Sequence, residues 1–168
     1  MTIKERLYAS VIGWGGWSFR VVSSKAGVRY IDLRKRSTED LSRRLDGTIT
    51  PDDRRNEAVL NQLHEYLEGR RCTFEVALDL RGTPFQRAIW DRLPEIPYGE
   101  TLCYAEVAAS IGRPTALRAV GRAVGANPVP IVIPCHRVIG KDGRLVGYGG
   151  GLPLKERLLA LEKGSLDL

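Results

Sequence analysis

The chain has 168 residues, a length that suits one domain or two small ones. With 43% hydrophobic residues it can bury a core, and no run approaches the roughly 18 apolar residues of a membrane span. The start, Met1-Thr2-Ile3-Lys4-Glu5-Arg6, lacks a signal-peptide stretch, so an intracellular, cytoplasmic protein is expected. The net charge of +6 suits a polyanion such as nucleic acid, although an ordinary basic surface carries as much.

In chain order, residues 7–12, 17–23 and 28–33 are short runs rich in β-branched and aromatic side chains. Gly13, Gly15, Gly16 and Gly27 punctuate them as hairpin turns would. The turn Trp14-Gly15-Gly16-Trp17 reads as hairpin packing. A charged stretch follows, with a helix expected near residues 39–45. Thr50-Pro51-Asp52-Asp53 reads as a turn and helix start, and Val59, Leu60, Leu63, Tyr66 and Leu67 then recur at helical spacing up to Gly69. Residues 74–80 alternate, and are either a strand or an extended linker. A domain boundary is expected near Arg81-Gly82, giving domains 1–80 and 81–168.

Beyond it, Thr83 is an N-cap, Pro84 takes the first helical position, and Gln86 closes a capping box. Pro94 and Pro97 end that helix. Residues 104–111 and 115–125 read as two short helices joined by Gly112-Arg113-Pro114. Arg118 and Arg122, four apart, share a face. This spacing fits a DNA-reading helix-turn-helix and equally a plain helical hairpin. Lys141-Asp142-Gly143 reads as a hairpin turn, and Gly147-Tyr148-Gly149-Gly150-Gly151 lacks the Lys-Ser/Thr ending of a phosphate loop. Glycine there more readily lets backbone N–H groups approach a planar ligand that Tyr148 would cover. A last helix begins at Pro153.

Three cysteines, Cys72, Cys103 and Cys135, argue against a disulfide framework in a cytosolic chain. Without C-x-x-C spacing, and with only His64 and His136 as histidines, no metal site is expected. Cys135 lies in Asn127-Pro128-Val129-Pro130-Ile131-Val132-Ile133-Pro134-Cys135-His136-Arg137-Val138. Three prolines stiffen that segment, which suits a site that must hold a reactive atom still. A free cysteine is ordinarily an inert, buried small hydrophobe, but a neighbouring histidine and arginines point to a nucleophile. The thiol needs a base. His136 is the candidate. Adjacent side chains diverge, so a water bridge is easier to build than direct contact. A carboxylate should orient the histidine, and Glu156 and Glu162 on the last helix are both candidates.

These segments, with Ile96-Pro97-Tyr98-Gly99-Glu100-Thr101, Tyr104, Arg118-Ala119-Val120-Gly121 and Gly147-Tyr148-Gly149-Gly150-Gly151-Leu152, resemble the O6-alkylguanine-DNA alkyltransferases. The likeness is dense over about residues 80–164. It implies an α+β fold: an N-terminal ribonuclease-H-like sheet with helices, then a mainly helical domain with a helix-turn-helix and an active-site loop. It implies single-turnover, irreversible transfer of the alkyl group of O6-alkylguanine, and of O4-alkylthymine, in double-stranded DNA to Cys135, without a cofactor. By resemblance, His136 acts through water with Glu162 behind it, and Asn127 braces the active-site turn. Tyr104 helps turn the nucleotide out and donates to the base. Pro130, Val138, Tyr148 and Gly149 meet the guanine, with Gly149 where some relatives have serine. Arg118 fills the vacated stack, beside Thr115, Ala116 and Arg122 on the DNA, in the minor groove. A monomer is expected, with several copies along one duplex left open.

Three rivals compete. A catalytically dead sensor of this fold would have lost the cysteine, which is present. A regulator methylated as a signal would carry a further domain, for which 168 residues leave little room. A cysteine hydrolase would need an oxyanion hole that the sequence does not announce.

Overall fold

The computed structural model describes residues 4–166. The chain divides into two compact units, Met1–Leu80 and Arg81–Leu168. The fold is α+β.

The first unit is a four-stranded sheet of β1 (Glu5–Trp14), β2 (Trp17–Ser23), β3 (Val28–Asp32) and β4 (Gly47–Pro51), in the order β3-β2-β1-β4. β1 runs antiparallel to β2 and parallel to β4. The β1–β2 hairpin closes from Trp14↔Trp17 through Gly15 and Gly16, both at positive φ (53° and 87°). That is the backbone a tight two-residue hairpin turn demands. Helix α1 (Thr38–Leu45) is capped by Ser37, and α2 (Asp53–Leu67) by Asp52, whose side chain accepts from Arg55 N. α2 buries Val59, Leu63, Tyr66 and Leu67, as their helical spacing predicts. It also buries Asn56, whose amide accepts from Ser23 Oγ (2.6 Å) and donates to Tyr8 O (3.2 Å) and Ser10 Oγ (3.0 Å). Those bonds fasten α2 to the two central strands.

Two expectations change in this unit. Residues 47–51 form an edge strand where a turn was expected at Thr50-Pro51. Pro51 is its last residue, and a proline is tolerated at such an edge because no ladder donor is needed there. Residues 74–80 make only one isolated bridge, Val28↔Leu78, so they are an extended linker docked on β3. Buried Arg29 pairs with Glu5 and with Asp79, tying that linker down.

The second unit contains α3 (Pro84–Arg92), β5 (Leu102–Cys103), α4 (Tyr104–Ser110), α5 (Leu117–Gly125), β6 (Val138–Ile139) and α6 (Leu152–Glu162). Short 3₁₀ turns cover Leu93–Glu95 and Cys135–Arg137. The Thr83–Gln86 capping box is present on α3. Trp90 Nε1 donates to Ala123 O at 2.8 Å, joining α3 to α5. Ile89, Val107, Val120, Val124, Val129, Leu154 and Leu158 are buried here.

The two short helices exist, but α5 starts two residues later than expected. Thr115 and Ala116 belong to the turn, which Gly112 at φ 68° and Pro114 prolong. The turn at 141–143 also exists, with Gly143 N donating to Gly140 O at 3.0 Å. It is not a strand hairpin: β6 is only two residues long and pairs in parallel with β5.

Candidate active site

The segment between α5 and β6 is built around Asn127. Its Nδ2 donates to Ile133 O at 2.8 Å, and its Oδ1 accepts from Val129 N at 3.0 Å. Ile133 N donates to Val129 O at 2.9 Å, closing a tight loop. Inside that loop Ile131 sits at φ 76°, a left-handed conformation that a β-branched residue rarely takes. Such a conformation costs on the order of 1–3 kcal/mol and persists only where its surroundings hold it. The Asn127 bonds and burial of residues 129–138 supply that hold.

Cys135 opens the 3₁₀ turn directly after this loop and is 8% exposed. Burial pushes its thiol up to about 11, while the Asn127 amide and the charge of Lys155 pull it down. The resting sulfur is therefore a protonated thiol that needs a base. His136 is fully buried, and burial holds its imidazole below its ordinary value, partly countered by Glu162. It is neutral near pH 7 and able to take a proton. Its Nε2 stands 2.7 Å from Glu162 Oε1. With the Nε2 proton donated to that carboxylate, Nδ1 is the basic nitrogen.

Glu162 is held from three sides. Arg137 donates through Nε to Oε1 (3.1 Å) and Oε2 (3.0 Å) and through Nη2 to Oε1 (2.9 Å). Gly99 N donates to Oε2 at 3.1 Å. Arg137 Nη1 reaches Ile96 O at 2.6 Å. The carboxylate left open between Glu156 and Glu162 is thereby decided, since Glu156 is exposed.

The other expected residues fall around this centre or away from it. Pro130 and Val138 are buried. Tyr148 has a buried hydroxyl without a hydrogen-bond partner among the described residues, an arrangement that asks for a polar ligand. Tyr104 Oη donates to Val146 O at 3.2 Å. Burial and then the charge of Cys135 raise the Tyr104 hydroxyl, and the same two causes lead for Tyr148. Gly149 is exposed. Thr115, Arg118 and Arg122 are exposed, and Ala116 is half-buried.

Four participants were not anticipated: Lys155, the two-pronged grip of Arg137, the Gly99 amide and the strain at Ile131. Lys155 had a detectable signal. Lys155, Leu158, Leu159 and Glu162 follow the i, i+3, i+4, i+7 pattern of one helix stripe, and all four are buried.

A family model described as "6-O-methylguanine DNA methyltransferase, DNA binding domain" matches residues 84–164. The fold and site thus define a two-unit protein whose second unit is of that DNA-methyltransferase class. The inducible methylated-DNA–protein-cysteine methyltransferase of Bacillus subtilis is 43% identical over 167 residues, covering 96% of this chain and 93% of that protein. The Mycobacterium bovis methylated-DNA–protein-cysteine methyltransferase is 54% identical over 114 residues, covering 68% of this chain and 69% of its own length. The crystal structure of Mycobacterium tuberculosis O6-methylguanine methyltransferase superposes with a TM-score of 0.84 at 39% identity, over 96% of this chain and 95% of that one. That of Mycobacterium tuberculosis OGT in complex with DNA gives 0.82 at 40% identity, over 95% and 94%. The chain belongs to the methylated-DNA–protein-cysteine methyltransferase family.

Proposed function

We propose that this chain repairs DNA by moving the alkyl group of O6-alkylguanine, and of O4-alkylthymine, onto Cys135. The observation that carries the reading is the buried thiol at the start of a proline-flanked turn, followed at once by a buried histidine–glutamate pair. Relatives named for this activity support it, as does the relative solved with DNA.

The reading assigns roles. His136 takes the thiol proton through a water, and Glu162 stabilises the imidazolium that forms. The thiolate displaces the O6 oxygen at the alkyl carbon, so a carbon–sulfur bond forms as the carbon–oxygen bond breaks. Guanine keeps the bonding electrons and gains the proton the thiol lost. Tyr104 and the Gly149 N–H support the departing oxygen or ring, and Pro130, Val138 and Tyr148 line the base. The target atom lies inside the duplex, so the nucleotide turns out at a cost of a few kcal/mol. Arg118 fills the gap, while Thr115, Ala116 and Arg122 meet the backbone. Domain 1–80 is the sheet domain and 81–168 the DNA-binding, alkyl-transfer domain. The chain works as a monomer in the cytoplasm on cellular DNA. No helix among the described residues is long and apolar enough to cross a membrane.

The test is intact mass after incubation with a duplex carrying O6-methylguanine. One added methyl, mapping to Cys135 and absent in Cys135→Ala, is expected. Turnover beyond one equivalent, or an unchanged mass, rejects the reading.

A further inference from the structure

The buried Lys155 of the second unit has no part in the transfer as described. Lys155 is 0% exposed, although lysine almost never buries fully without a partner. Its Nζ donates to Val138 O (2.6 Å), Val146 O (3.1 Å) and Gly147 O (3.4 Å). Three donated bonds are the full complement of an ammonium; a neutral amine has only two N–H groups. The side chain is thus built to be charged, yet its partners are neutral carbonyls, and no carboxylate pairs with it among the described residues. A buried cation is costly unless an anion answers it. The group within its electrostatic reach that can become an anion is the Cys135 sulfur, once its proton has passed to His136.

We propose that Lys155 is a positioning residue for the transfer reaction: its ammonium is the counter-charge of the Cys135 thiolate and clamps the chain on either side of the 141–143 turn. The inference rests on the reading of Cys135 as acceptor. The clamp joins Val138, which follows the Cys135–Arg137 turn, to Val146 and Gly147, which precede Tyr148. α6 then carries both charges of the site on one stripe, Lys155 for the sulfur and Glu162, two turns on, for the imidazole. The cation also opposes protonation of His136, so it favours thiolate while keeping the base neutral.

The groups that bear on Cys135 are Asn127 from the braced loop, Lys155 from α6, Tyr104 from α4 and Tyr148 from the glycine segment, with His136, Arg137 and Glu162 behind. Coupling between two ionisable groups is reciprocal, so the unaltered sequence provides the first measurement. The ε-methylene resonance of Lys155 is titrated before and after Cys135 is methylated. A thioether cannot ionise to the answering anion as pH rises, so the lysine titration should move to lower pH; a titration that stays in place overturns the proposal.

The second measurement uses Cys72→Ser/Cys103→Ser protein, in which Cys135 is the remaining thiol, and follows iodoacetamide alkylation against pH. Lys155→Gln should raise the inflection by about one pH unit, roughly a tenfold loss of thiolate at fixed pH, and Lys155→Arg should restore much of it. An unmoved inflection with a lower rate means a packing role alone and overturns the counter-charge. A moved inflection with no methyl gained from an O6-methylguanine duplex supports the coupling and overturns the acceptor reading.

Discussion

His136 Nε2 stands 2.7 Å from Glu162 Oε1, and neither side chain is exposed to solvent. The same carboxylate is gripped by Arg137 and by the Gly99 amide. One side chain thus fixes the histidine's tautomer, neutralises a buried guanidinium and ties α6 to the 96–99 loop.

Removing it should be costly in two separable ways. Glu162→Ala strands Arg137 in the interior, and loss of one partner of a buried ion pair costs about 3–5 kcal/mol. Denaturant unfolding should show that loss. Glu162→Gln keeps the shape and part of the hydrogen bonding, so it should unfold closer to the parent while methyl transfer falls sharply. Equal transfer rates for parent and Glu162→Gln would remove the glutamate from the relay.

The buried imidazole sets a pH dependence of stability. Burial places the folded-state value of His136 below its unfolded value of about 6.5. Between those two values the unfolded chain binds the extra proton, so its contribution to stability is complete above about pH 6.5 and is lost as pH falls toward the folded value. Denaturation midpoints taken from about pH 8 down to about pH 5 should decline in the lower part of that range. His136→Asn should flatten the decline; an unchanged slope would contradict it.

Asn127→Ala removes both bonds that brace the loop, leaving Ile131 at φ 76° with less to hold it. Unsatisfied buried partners cost about 1–3 kcal/mol, to be read from chemical unfolding. The thiol also loses the amide that lowers it, so the alkylation profile of Cys135 should shift to higher pH. A drop in stability with no shift in the profile would separate bracing from thiol tuning.

Gly99→Ala tests the backbone under the carboxylate. Gly99 has φ +81°, and an added Cβ would stand 3.1 Å from Glu162 O. An L-residue in that left-handed conformation loses about 1–2 kcal/mol. The amide that meets Glu162 Oε2 should move with it, lowering both melting temperature and transfer rate. Unchanged values for both would show that the loop adapts freely.

Arg118 and Arg122 are both exposed on α5, four residues apart, but different losses are expected. Arg118→Ala should slow repair of a duplex more than transfer from free O6-benzylguanine, because only the duplex has a base to turn out. Arg122→Ala should weaken duplex binding across sequences and reduce the salt slope by about one phosphate contact. Equal slowing of both substrates by Arg118→Ala would count against its role in the stack.

Sequence spacing announced the helices well because their caps and apolar stripes are local. Thr83, Pro84 and Gln86 define the start of α3 without help from the rest of the chain. β4 was hidden because Thr50-Pro51 has turn chemistry, and only parallel pairing to β1 makes it a strand. Cys135 and His136 stood out by their neighbours, and Asn127 by its place in the motif that carries the family resemblance. Lys155 shares a helical stripe with Leu158 and Leu159, but spacing alone does not bury it, because a lysine among leucines ordinarily keeps its head in water. Its burial depends on carbonyls from Val138, Val146 and Gly147 arriving together, which is a tertiary fact. The positive φ of Ile131 was equally hidden: nothing in an isoleucine between Pro130 and Val132 marks a left-handed turn.

The carbonyl of Val146 accepts from Tyr104 Oη at 3.2 Å and from Lys155 Nζ at 3.1 Å. If Tyr104 donates to a base, its hydroxyl must first leave that carbonyl. On that reading, arrival of a nucleotide would be an exchange of partners in which Val146 keeps the lysine. A damaged base would then displace one hydrogen bond as it makes another, and recognition would depend on how well the incoming acceptor outcompetes a carbonyl already in place.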